Sequence, residues 1–370
     1  MKREKLEEVI LKNLVAFNTT EKKYNNAIKK YILSLFGDFQ KKVFTVPETN
    51  NRAFVITINE GVKKSITFLM HLDTTELVGG WDTKPLMLSK NGEVLVGLGA
   101  SDMKGGIACV LAAILENKPK LKINLIFTSN EETSVDDINK VAKYFPLQNE
   151  LIVVPEPTNN NIGIQQKGVL EVKLSHFGRS FHAAKATSYN NQKYNSIVVV
   201  SRMISKISDF INSQNKNIKI KDGITVNFGK IQGGSAVNSA ADYCELFLSV
   251  RISPNVDFEN TKKGLLNFIT TIDKSIKVAI LLEGKSFSNI NEKMQRNLQK
   301  NVNNILGGKT KKIQLDYWSE VAVISENNTC VVIGPGDIKQ MHKANESIDI
   351  NEMTKYKKMC AEIMKFIYLK

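Results

Sequence analysis

Four short apolar runs are spaced along the chain, and each stops abruptly at a polar or ionisable cluster. The runs are SITFLM at 65–70, INLIF at 123–127, LIVV at 151–154 and CVVI at 330–333. Short runs that are mostly apolar predict strands buried on both faces, as in the sheet of an α/β protein. Helical patterns intervene, for example MKGGIACVLAAILEN. The pattern therefore predicts an α/β domain with a central mixed sheet.

Each predicted strand is followed at once by residues that can carry chemistry. HLD follows the first run, TSNEE the second, PEPT the third and GPGDIKQMH the fourth. Ligands of open α/β sheets bind beyond the carboxyl ends of the strands. We therefore expect the four clusters to converge on one site.

The middle of the chain has a different periodicity. VLEVKLSHF and CELFLSVRI alternate with a period of two, which is typical of strands with one buried face. In the second strand, Arg251 would lie on the face opposite the apolar residues, which are Cys244, Leu246, Leu248, Val250 and Ile252. Helical stretches at about 191–213 and 257–272 give the order β-α-β-β-α-β. That order predicts a small ferredoxin-like α+β domain inserted into the larger one.

The length of 370 residues exceeds the usual range of a single hydrophobic core, so two domains are expected. We predict a discontinuous catalytic domain at 1–166 and 286–370. The inserted domain would occupy 167–285.

Composition changes this picture little. The net charge of +14 suggests nucleic acid, but the basic residues are scattered and form no aromatic-interleaved stripe. We therefore predict no nucleic-acid partner. No apolar run approaches the ~20 residues of a membrane helix, and the N-terminus lacks the apolar segment of a signal peptide. The prediction is a cytoplasmic protein without a membrane partner, whose four widely spaced cysteines are buried thiols.

Oxygen and imidazole side chains on separate loops are what a hydrolytic zinc or cobalt site needs. The candidates are His71, Asp102, Glu131, Glu132, Glu156 and His342. Singly each is weak evidence, because a lone histidine at a strand end is more often structural and an acidic pair usually begins a solvated helix. Their order along the chain and their setting beyond predicted strands are more specific.

Seven stretches in this order resemble the family of di-zinc amidohydrolases that contains acetylornithine deacetylase, succinyl-diaminopimelate desuccinylase, aminoacylase and carboxypeptidase G. They are MHLDTT, GLGASDMKGG, TSNEETS, VVPEPT, GRSFHAA, GGSAVNSAADYCELFLSVRISP and GPGDIKQMHKANE, from about residue 68 to 346. The similarity to acetylornithine deacetylases is greatest in three places, which are EETS, EPT followed by QKG, and GPGDIKQMHKANE. The resemblance implies hydrolysis of the amide of a small N-acyl amino acid, above all N-acetylornithine in arginine biosynthesis.

The resemblance also implies a centre of two divalent metal ions, Zn²⁺ or Co²⁺, that share one carboxylate. One ion would take His71, Glu156 and one oxygen of Asp102. The second would take Glu132, His342 and the other oxygen of Asp102. An aspartate can bridge in this way because its two oxygens can bind cations ~3.5–4 Å apart.

Further roles follow from the same resemblance. Asp73 would accept a hydrogen bond from the far nitrogen of His71 and fix its tautomer. Glu131 would be the general base that takes a proton from water and delivers it to the leaving amine. A cis peptide is expected between Asp102 and Met103. Glu156 favours an N-acyl amino acid over a peptide, because dipeptidase relatives often have aspartate there.

The resemblance makes the inserted domain a lid that mediates a homodimer. His182 would reach the active site of the neighbouring subunit and stabilise the oxyanion. Asn238 and Arg251 would contact the substrate carboxylate, which suits the bidentate geometry of arginine. Glu320 would face a cationic amine of the substrate. His176 has no implied role and is expected to be structural.

The chain departs from the family pattern at three positions. Phe181 replaces glycine, Lys185 replaces proline, and Pro155 replaces the glycine before Glu156. A bulky Phe181 beside His182 can shift the lid loop. Alternative substrates are N-succinyl-diaminopimelate, another acyl amino acid or a dipeptide. The alternative from a different class is a non-catalytic protein that binds nucleic acid or an acidic partner through its basic surface.

Overall fold

The computed structural model describes residues 4–148, 150–185, 192–218, 223–288, 292–306 and 310–369. Within it the chain divides into two compact units. Unit 1 comprises Met1–Ile164, Asn289–Gln314 and Ser319–Lys370, and unit 2 comprises Gln165–Ser288 and Leu315–Trp318.

The segment Leu315–Trp318 belongs to unit 2, although the sequence predicted it in the larger domain. Trp318 is the reason, because its indole Nε1 donates a hydrogen bond to the Lys285 carbonyl at 3.1 Å. Its ring also lies directly against Gly284, where an added Cβ would come within 2.4 Å of the indole. The inserted unit runs from 165 to 288 in the structure, where the sequence predicted 167 to 285.

The helices are α1 (Leu6–Ala16), α2 (Asn25–Leu35), α3 (Gly105–Asn117), α4 (Asp136–Tyr144), α5 (Ser196–Ile218), α6 (Phe258–Ile272), α7 (Glu292–Leu306), α8 (Val321–Ile324) and α9 (Ile350–Leu369). The strands of unit 1 are β1 (Lys41–Thr45), β2 (Phe54–Ile58), β3 (Ser65–His71), β4 (Ser89–Asn91), β5 (Val94–Val96), β6 (Lys122–Thr128), β7 (Leu151–Val154), β8 (Ile162–Gln166, which ends in unit 2), β14 (Lys312–Leu315, whose last residue is in unit 2), β15 (Thr329–Val332) and β16 (Ser347–Asp349). The remaining strands, in unit 2, are β9 (Gly168–Phe177), β10 (Ile224–Gly233), β11 (Tyr243–Ile252), β12 (Lys277–Gly284) and β13 (Phe287–Ser288).

The central sheet of unit 1 has the order β1-β2-β6-β3-β7-β15-β8. Strands β6, β3, β7 and β15 are parallel neighbours, whereas β1, β2 and β8 pair antiparallel. The predicted mixed sheet is confirmed. The four apolar runs of the sequence are these four parallel strands, and their apolar residues are buried. Since parallel strands end at the same edge of a sheet, the clusters that follow them lie at one edge.

Helix α3 is buried over its first ten residues, from Gly105 to Ile114, and packs between α1 and α9. Its small residues allow this close packing. At Gly106, for example, an added Cβ would lie 2.1 Å from the carbonyl oxygen of Pro155. The helix therefore lies directly against the segment that follows β7. Unit 1 also has a small second sheet with the strand order β16-β5-β4. Strand β5 of this sheet precedes α3 in the chain, and the turn Ala100–Lys104 lies between them.

Unit 2 has the order β9-α5-β10-β11-α6-β12, which is the predicted β-α-β-β-α-β. Its antiparallel sheet has the strand order β10-β11-β9-β12. The alternate residues predicted to share one face of β11 are all buried in the core of this unit. Arg251 lies on the other face and is half-buried. Helix α5 begins at Ser196 rather than near 191, a position outside the described residues.

The four cysteines are buried free thiols, as predicted. His176 is buried and its Nδ1 lies 2.9 Å from the Ser196 hydroxyl, which agrees with a structural role. Among the described residues, no helix combines the length and hydrophobicity that a membrane span requires.

Candidate metal centre

The ionisable residues predicted from the four clusters meet at the carboxyl edge of the central sheet. His71 is the last residue of β3 and pairs in register with Thr128, the last residue of β6. Glu131 and Glu132 lie in the turn after β6, and Glu156 comes two residues after the end of β7. The parallel strands thus deliver these side chains to the same place.

One group of possible ligands contains His71, Asp102 and Glu156. His71 Nε2 lies 3.2 Å from Oδ1 of Asp102 and 3.5 Å from Oε1 of Glu156. All three side chains are buried. A second group contains Asp102, Glu132 and His342, in which His342 Nε2 lies 3.2 Å from Oδ2 of Asp102 and 3.3 Å from Oε2 of Glu132.

The two groups share Asp102, which presents one oxygen to each histidine. Within each group the candidate ligand atoms lie within 4.8 Å of one another. The structure therefore brings together the five residues that the resemblance implied as ligands. A cation in each group would be joined to the other through one carboxylate.

The backbone has special geometry at the shared residue Asp102 and at His342 of the second group. Asp102 lies in an irregular turn, Ala100–Lys104, and is joined to Met103 by a cis peptide bond, as the resemblance implied. The turn follows Gly99, whose φ of +74° suits glycine. His342 has a φ of +58°, a region that non-glycine residues rarely adopt and that is enriched at functional sites.

Asp73 has a different partner from the one expected. Its Oδ1 lies 3.7 Å from His71 Nδ1, beyond hydrogen-bond distance, and the backbone carbonyl of Asp73 accepts that hydrogen bond at 3.1 Å instead. The carboxylate accepts from the backbone N–H groups of Glu131, at 3.3 Å, and Glu132, at 3.1 Å. The expectation was wrong in this detail because the two adjacent N–H groups of the turn occupy the carboxylate.

The crowded carboxylates perturb one another. Burial and the charge of Asp102 raise the pKa of Glu156 to about 7, and the same two causes raise the pKa of Glu132. Burial alone would raise the pKa of Asp102, but hydrogen bonds from His342 and His71 outweigh it and hold that pKa below its ordinary value. Burial alone would lower the pKa of His71, and its carboxylate partners reverse this, beginning with Asp102.

The residues fit a divalent cation by their chemistry. Imidazole nitrogens and carboxylate oxygens are ligands that zinc and cobalt accept. Oε2 of Glu156 is buried and has no hydrogen-bond partner in the protein, which is costly for a carboxylate oxygen. A cation would satisfy this atom and offset the repulsion between the carboxylates.

Comparison with known proteins agrees with this geometry. Residues 67–365 match the peptidase family M20/M25/M40. The chain belongs to this family. The acetylornithine deacetylase of Buchnera aphidicola subsp. Schizaphis graminum is 24% identical over 335 residues, covering 89% of this chain and 87% of that protein.

Two solved structures of M20 proteins show the same fold. The metallo-carboxypeptidase Sso-CP2 from Sulfolobus solfataricus has a TM-score of 0.82 at 15% identity, covering 99% of this chain and 100% of the other. YXEP from Bacillus subtilis, described as a dinuclear metal binding peptidase, has a TM-score of 0.61 at 14% identity, covering 96% and 99%. The M20 chain is thus a hydrolase whose fold is an α/β unit with an inserted α+β unit.

Glu131 stands beside the two groups of this M20 protein but belongs to neither. Its backbone N–H donates to the Asp73 carboxylate, and its side chain is half-buried. Burial raises its pKa well above the ordinary value, and the charges of Glu132 and Glu156 add to this against the opposing charge of His71. A carboxyl with a raised pKa is suited to both accepting and returning a proton near neutral pH.

Two of the residues predicted in the inserted domain lie together within unit 2. His182 forms an isolated bridge with Ser239, and the N–H of Ala183 donates to the Asn238 carbonyl at 2.8 Å. The His182 side chain is exposed, and its Nδ1 accepts from the N–H of Ala184 at 3.2 Å. The departure Phe181 is half-buried and its carbonyl accepts from Ala240 at 2.8 Å, so it forms part of this bridged loop.

Glu320 precedes α8 and is buried, with 3% of its surface exposed. Its Oε2 accepts a 2.6 Å hydrogen bond from the Thr128 hydroxyl, and its Oε1 has no hydrogen-bond partner in the protein. Burial raises its pKa to about 8, with a contribution from the charge of Asp73. A contact between Glu320 and a substrate amine stays a prediction.

Glu346 is a buried acidic residue beside Asp102 for which the sequence predicted no role. Glu346 accepts three backbone hydrogen bonds from the segment that leads into Asp102. It ends the matched stretch GPGDIKQMHKANE, so its position was visible in the sequence, but only the structure shows its partners.

Proposed function

We propose that this M20 protein is a metal-dependent deacylase that hydrolyses the amide bond of a small N-acyl amino acid. The observation that carries the proposal is the shared carboxylate of Asp102, with one oxygen 3.2 Å from His71 and the other 3.2 Å from His342. An arrangement of this kind suits two cations that act on one bond.

The proposed ligands are His71, Glu156 and Asp102 for one ion, and Glu132, His342 and Asp102 for the other. When bound there, two Zn²⁺ or Co²⁺ ions would polarise the scissile carbonyl and lower the pKa of water. Ligand chemistry supports either metal, since both accept nitrogen and oxygen donors.

In this proposal Glu131 moves the proton. Its carboxylate takes a proton from the attacking water and returns it to the nitrogen of the leaving amine, which departs neutral. Asp73 holds the backbone of Glu131 and Glu132, so the base and a neighbouring ligand keep a fixed relation. The Asp73 carbonyl meanwhile orients His71 by accepting from its Nδ1.

N-acetylornithine is the proposed substrate. Support comes from relatives named acetylornithine deacetylase, at 23–27% identity, and from glutamate rather than aspartate at position 156. Asn238 and Arg251 would bind the substrate carboxylate, and Glu320 would face the side-chain amine. His182 would stabilise the oxyanion across a homodimer formed through unit 2, in the cytoplasm.

The test is a hydrolysis assay with three substrates, N-acetylornithine, N-succinyl-diaminopimelate and a dipeptide, following amine release by the zinc- or cobalt-loaded protein. Glu131→Gln is the matched variant, because glutamine keeps the size of the side chain and cannot accept the proton. We expect cleavage of N-acetylornithine by the parent, and a loss of about 10²- to 10⁴-fold in kcat in the variant with both ions retained.

Three outcomes contradict parts of the proposal separately. Cleavage of a different substrate in the panel would overturn the choice of N-acetylornithine alone. Full activity of Glu131→Gln would show that Glu131 is not the general base. Binding of nucleic acid or an acidic protein with no hydrolysis of any substrate would favour the non-catalytic alternative.

A further inference from the structure

The carboxylate of Glu346 is occupied entirely by backbone N–H groups. Its Oε1 accepts from Ser101 and Asp102, each at 2.8 Å, and its Oε2 accepts from Gly99 at 2.7 Å. The side chain is buried, with 3% of the residue exposed. Three short hydrogen bonds to one buried carboxylate form a strong attachment, because charge-assisted hydrogen bonds are about twice as strong as neutral ones.

The segment that Glu346 holds is the irregular turn that presents Asp102. Neither Asp102 nor Met103 has helical φ and ψ angles, so the turn lacks the hydrogen-bond ladder of a regular helix at this point. Buried N–H groups need partners, and Glu346 supplies them for three residues of the segment. The direction of the Asp102 side chain therefore depends on Glu346.

Glu346 also belongs to the segment that carries His342, four residues earlier. That segment has two residues with positive φ, His342 at +58° and Asn345 at +59°. The Glu346 carbonyl accepts from the N–H of Gly97 at 3.0 Å, and the following strand, β16, pairs with β5. One residue therefore joins the chain around Asp102 to the chain around His342, which are 240 positions apart.

We propose that Glu346 is a positioning residue that fixes Asp102 relative to His342. It thereby sets the affinity with which the second group of ligands, Asp102, Glu132 and His342, binds its metal ion. The inference rests on the proposed metal centre. Glu346 itself is not a ligand in this account, because both of its oxygens face backbone donors. Removing such support from a metal ligand typically weakens metal binding about 10- to 100-fold.

The variants are Glu346→Gln and Glu346→Asp, with Glu150→Gln as the control. Glutamine keeps the size but replaces one acceptor oxygen with a donor, which would face an N–H group. Aspartate keeps the charge but is one methylene shorter. Glu150 is also a buried carboxylate of unit 1, but it accepts from Ser65 at the start of β3, whereas His71 ends that strand.

The measurements are the two Co²⁺ dissociation constants by chelator competition, the visible absorption spectrum of the bound Co²⁺, and the melting temperature. In Glu346→Gln we expect one of the two ions to bind about 10- to 100-fold more weakly and the spectrum to change. Glu346→Asp should have a dissociation constant for this ion between those of the parent and Glu346→Gln. Glu150→Gln should lower the melting temperature and leave both constants and the spectrum unchanged.

The inference is overturned if both Glu346 variants bind two ions with the parent's constants and spectrum while losing stability as Glu150→Gln does. If Glu346→Gln does not fold, Glu346→Asp decides the question by the same readouts. A parent protein that binds no metal would overturn the metal centre itself. If the parent binds two ions and both Glu346 variants bind them with the same constants and spectrum, only the proposed role of Glu346 is overturned.

Discussion

The carboxylate of Asp73 holds the backbone of Glu132, whose N–H donates to Asp73 Oδ2 at 3.1 Å. Asp73 Oδ1 accepts in the same way from the preceding residue, Glu131, at 3.3 Å. The Asp73 carboxylate, which was expected to orient His71, thus fixes the turn that carries the proposed base, Glu131, and the proposed ligand Glu132. His71 is oriented by the backbone carbonyl of Asp73, which a change of side chain leaves in place.

Replacing Asp73 should therefore affect turnover more than the binding of metal by His71. In Asp73→Asn one oxygen still accepts an N–H, while the amide nitrogen would face the other N–H group. We expect kcat to fall about 10- to 100-fold with two ions still bound. Kinetics at saturating metal, together with metal analysis, check this. Asp38→Asn, on an exposed side chain, is the control. Loss of the ion at His71 with kcat unchanged would contradict the account.

The contact between Gly106 and Pro155 gives a second prediction. An added Cβ at Gly106 would lie 2.1 Å from the Pro155 carbonyl oxygen, and Pro155 precedes the proposed ligand Glu156. Gly106→Ala should therefore lower the free energy of unfolding by about 1–3 kcal/mol and displace Glu156. Urea unfolding of the metal-free protein and titration with Co²⁺ measure the two effects.

Gly264→Ala is the matched control for Gly106→Ala, since both glycines lie in helices. The nearest atom to a Cβ at Gly264 is Cζ of Phe210, at 3.8 Å, which is ordinary contact. Because alanine has the higher helix propensity, this variant should gain about 0.5–1 kcal/mol. Equal loss of stability in the two variants would show that the contact with Pro155 does not set the cost.

Glu320 makes the stability of the metal-free protein depend on pH. Burial raises the pKa of Glu320 from an ordinary 4.5 to about 8, so between these values the folded protein holds a proton that the unfolded chain releases. The stabilising contribution is complete below the lower value and is lost as the pH rises through the upper one. Glu320→Gln cannot ionise and still accepts from Thr128, so its stability should fall less over this interval.

Urea midpoints at both ends of the interval test this prediction. Glu326→Gln, on the exposed surface, controls for the loss of one carboxylate. A parallel decline of the parent and Glu320→Gln with rising pH would show that Glu320 does not hold the extra proton.

Much of the fold could be predicted from the sequence because the relevant signals are local. The runs that became β3 and β15 are short and mostly apolar, which is typical of a strand buried on both faces. The period of two along β11 identified its buried face in the same way. The candidate ligands His71, Glu132, Glu156 and His342 stood out because each follows one of the apolar runs, whereas Asp102 lies in the segment before α3.

The supporting contacts could not be predicted, because they depend on backbone geometry rather than residue type. Asp73 was assigned to His71 by resemblance, whereas its partners are N–H groups of a turn 58 and 59 positions away. Glu346 binds backbone donors more than 240 positions distant, which no pattern in the sequence marks. Trp318 likewise joins unit 2 through a carbonyl contact that composition does not reveal.

The most direct test is the number of metal ions bound by the parent, His71→Ala, His342→Ala and Asp102→Ala after dialysis against Zn²⁺. Since each histidine faces its own oxygen of Asp102, the account predicts two ions in the parent and one in each histidine variant. Asp102→Ala should bind both ions weakly. A parent that binds no zinc, or histidine variants that each keep two ions, would contradict the shared carboxylate centre on which the proposed hydrolysis depends.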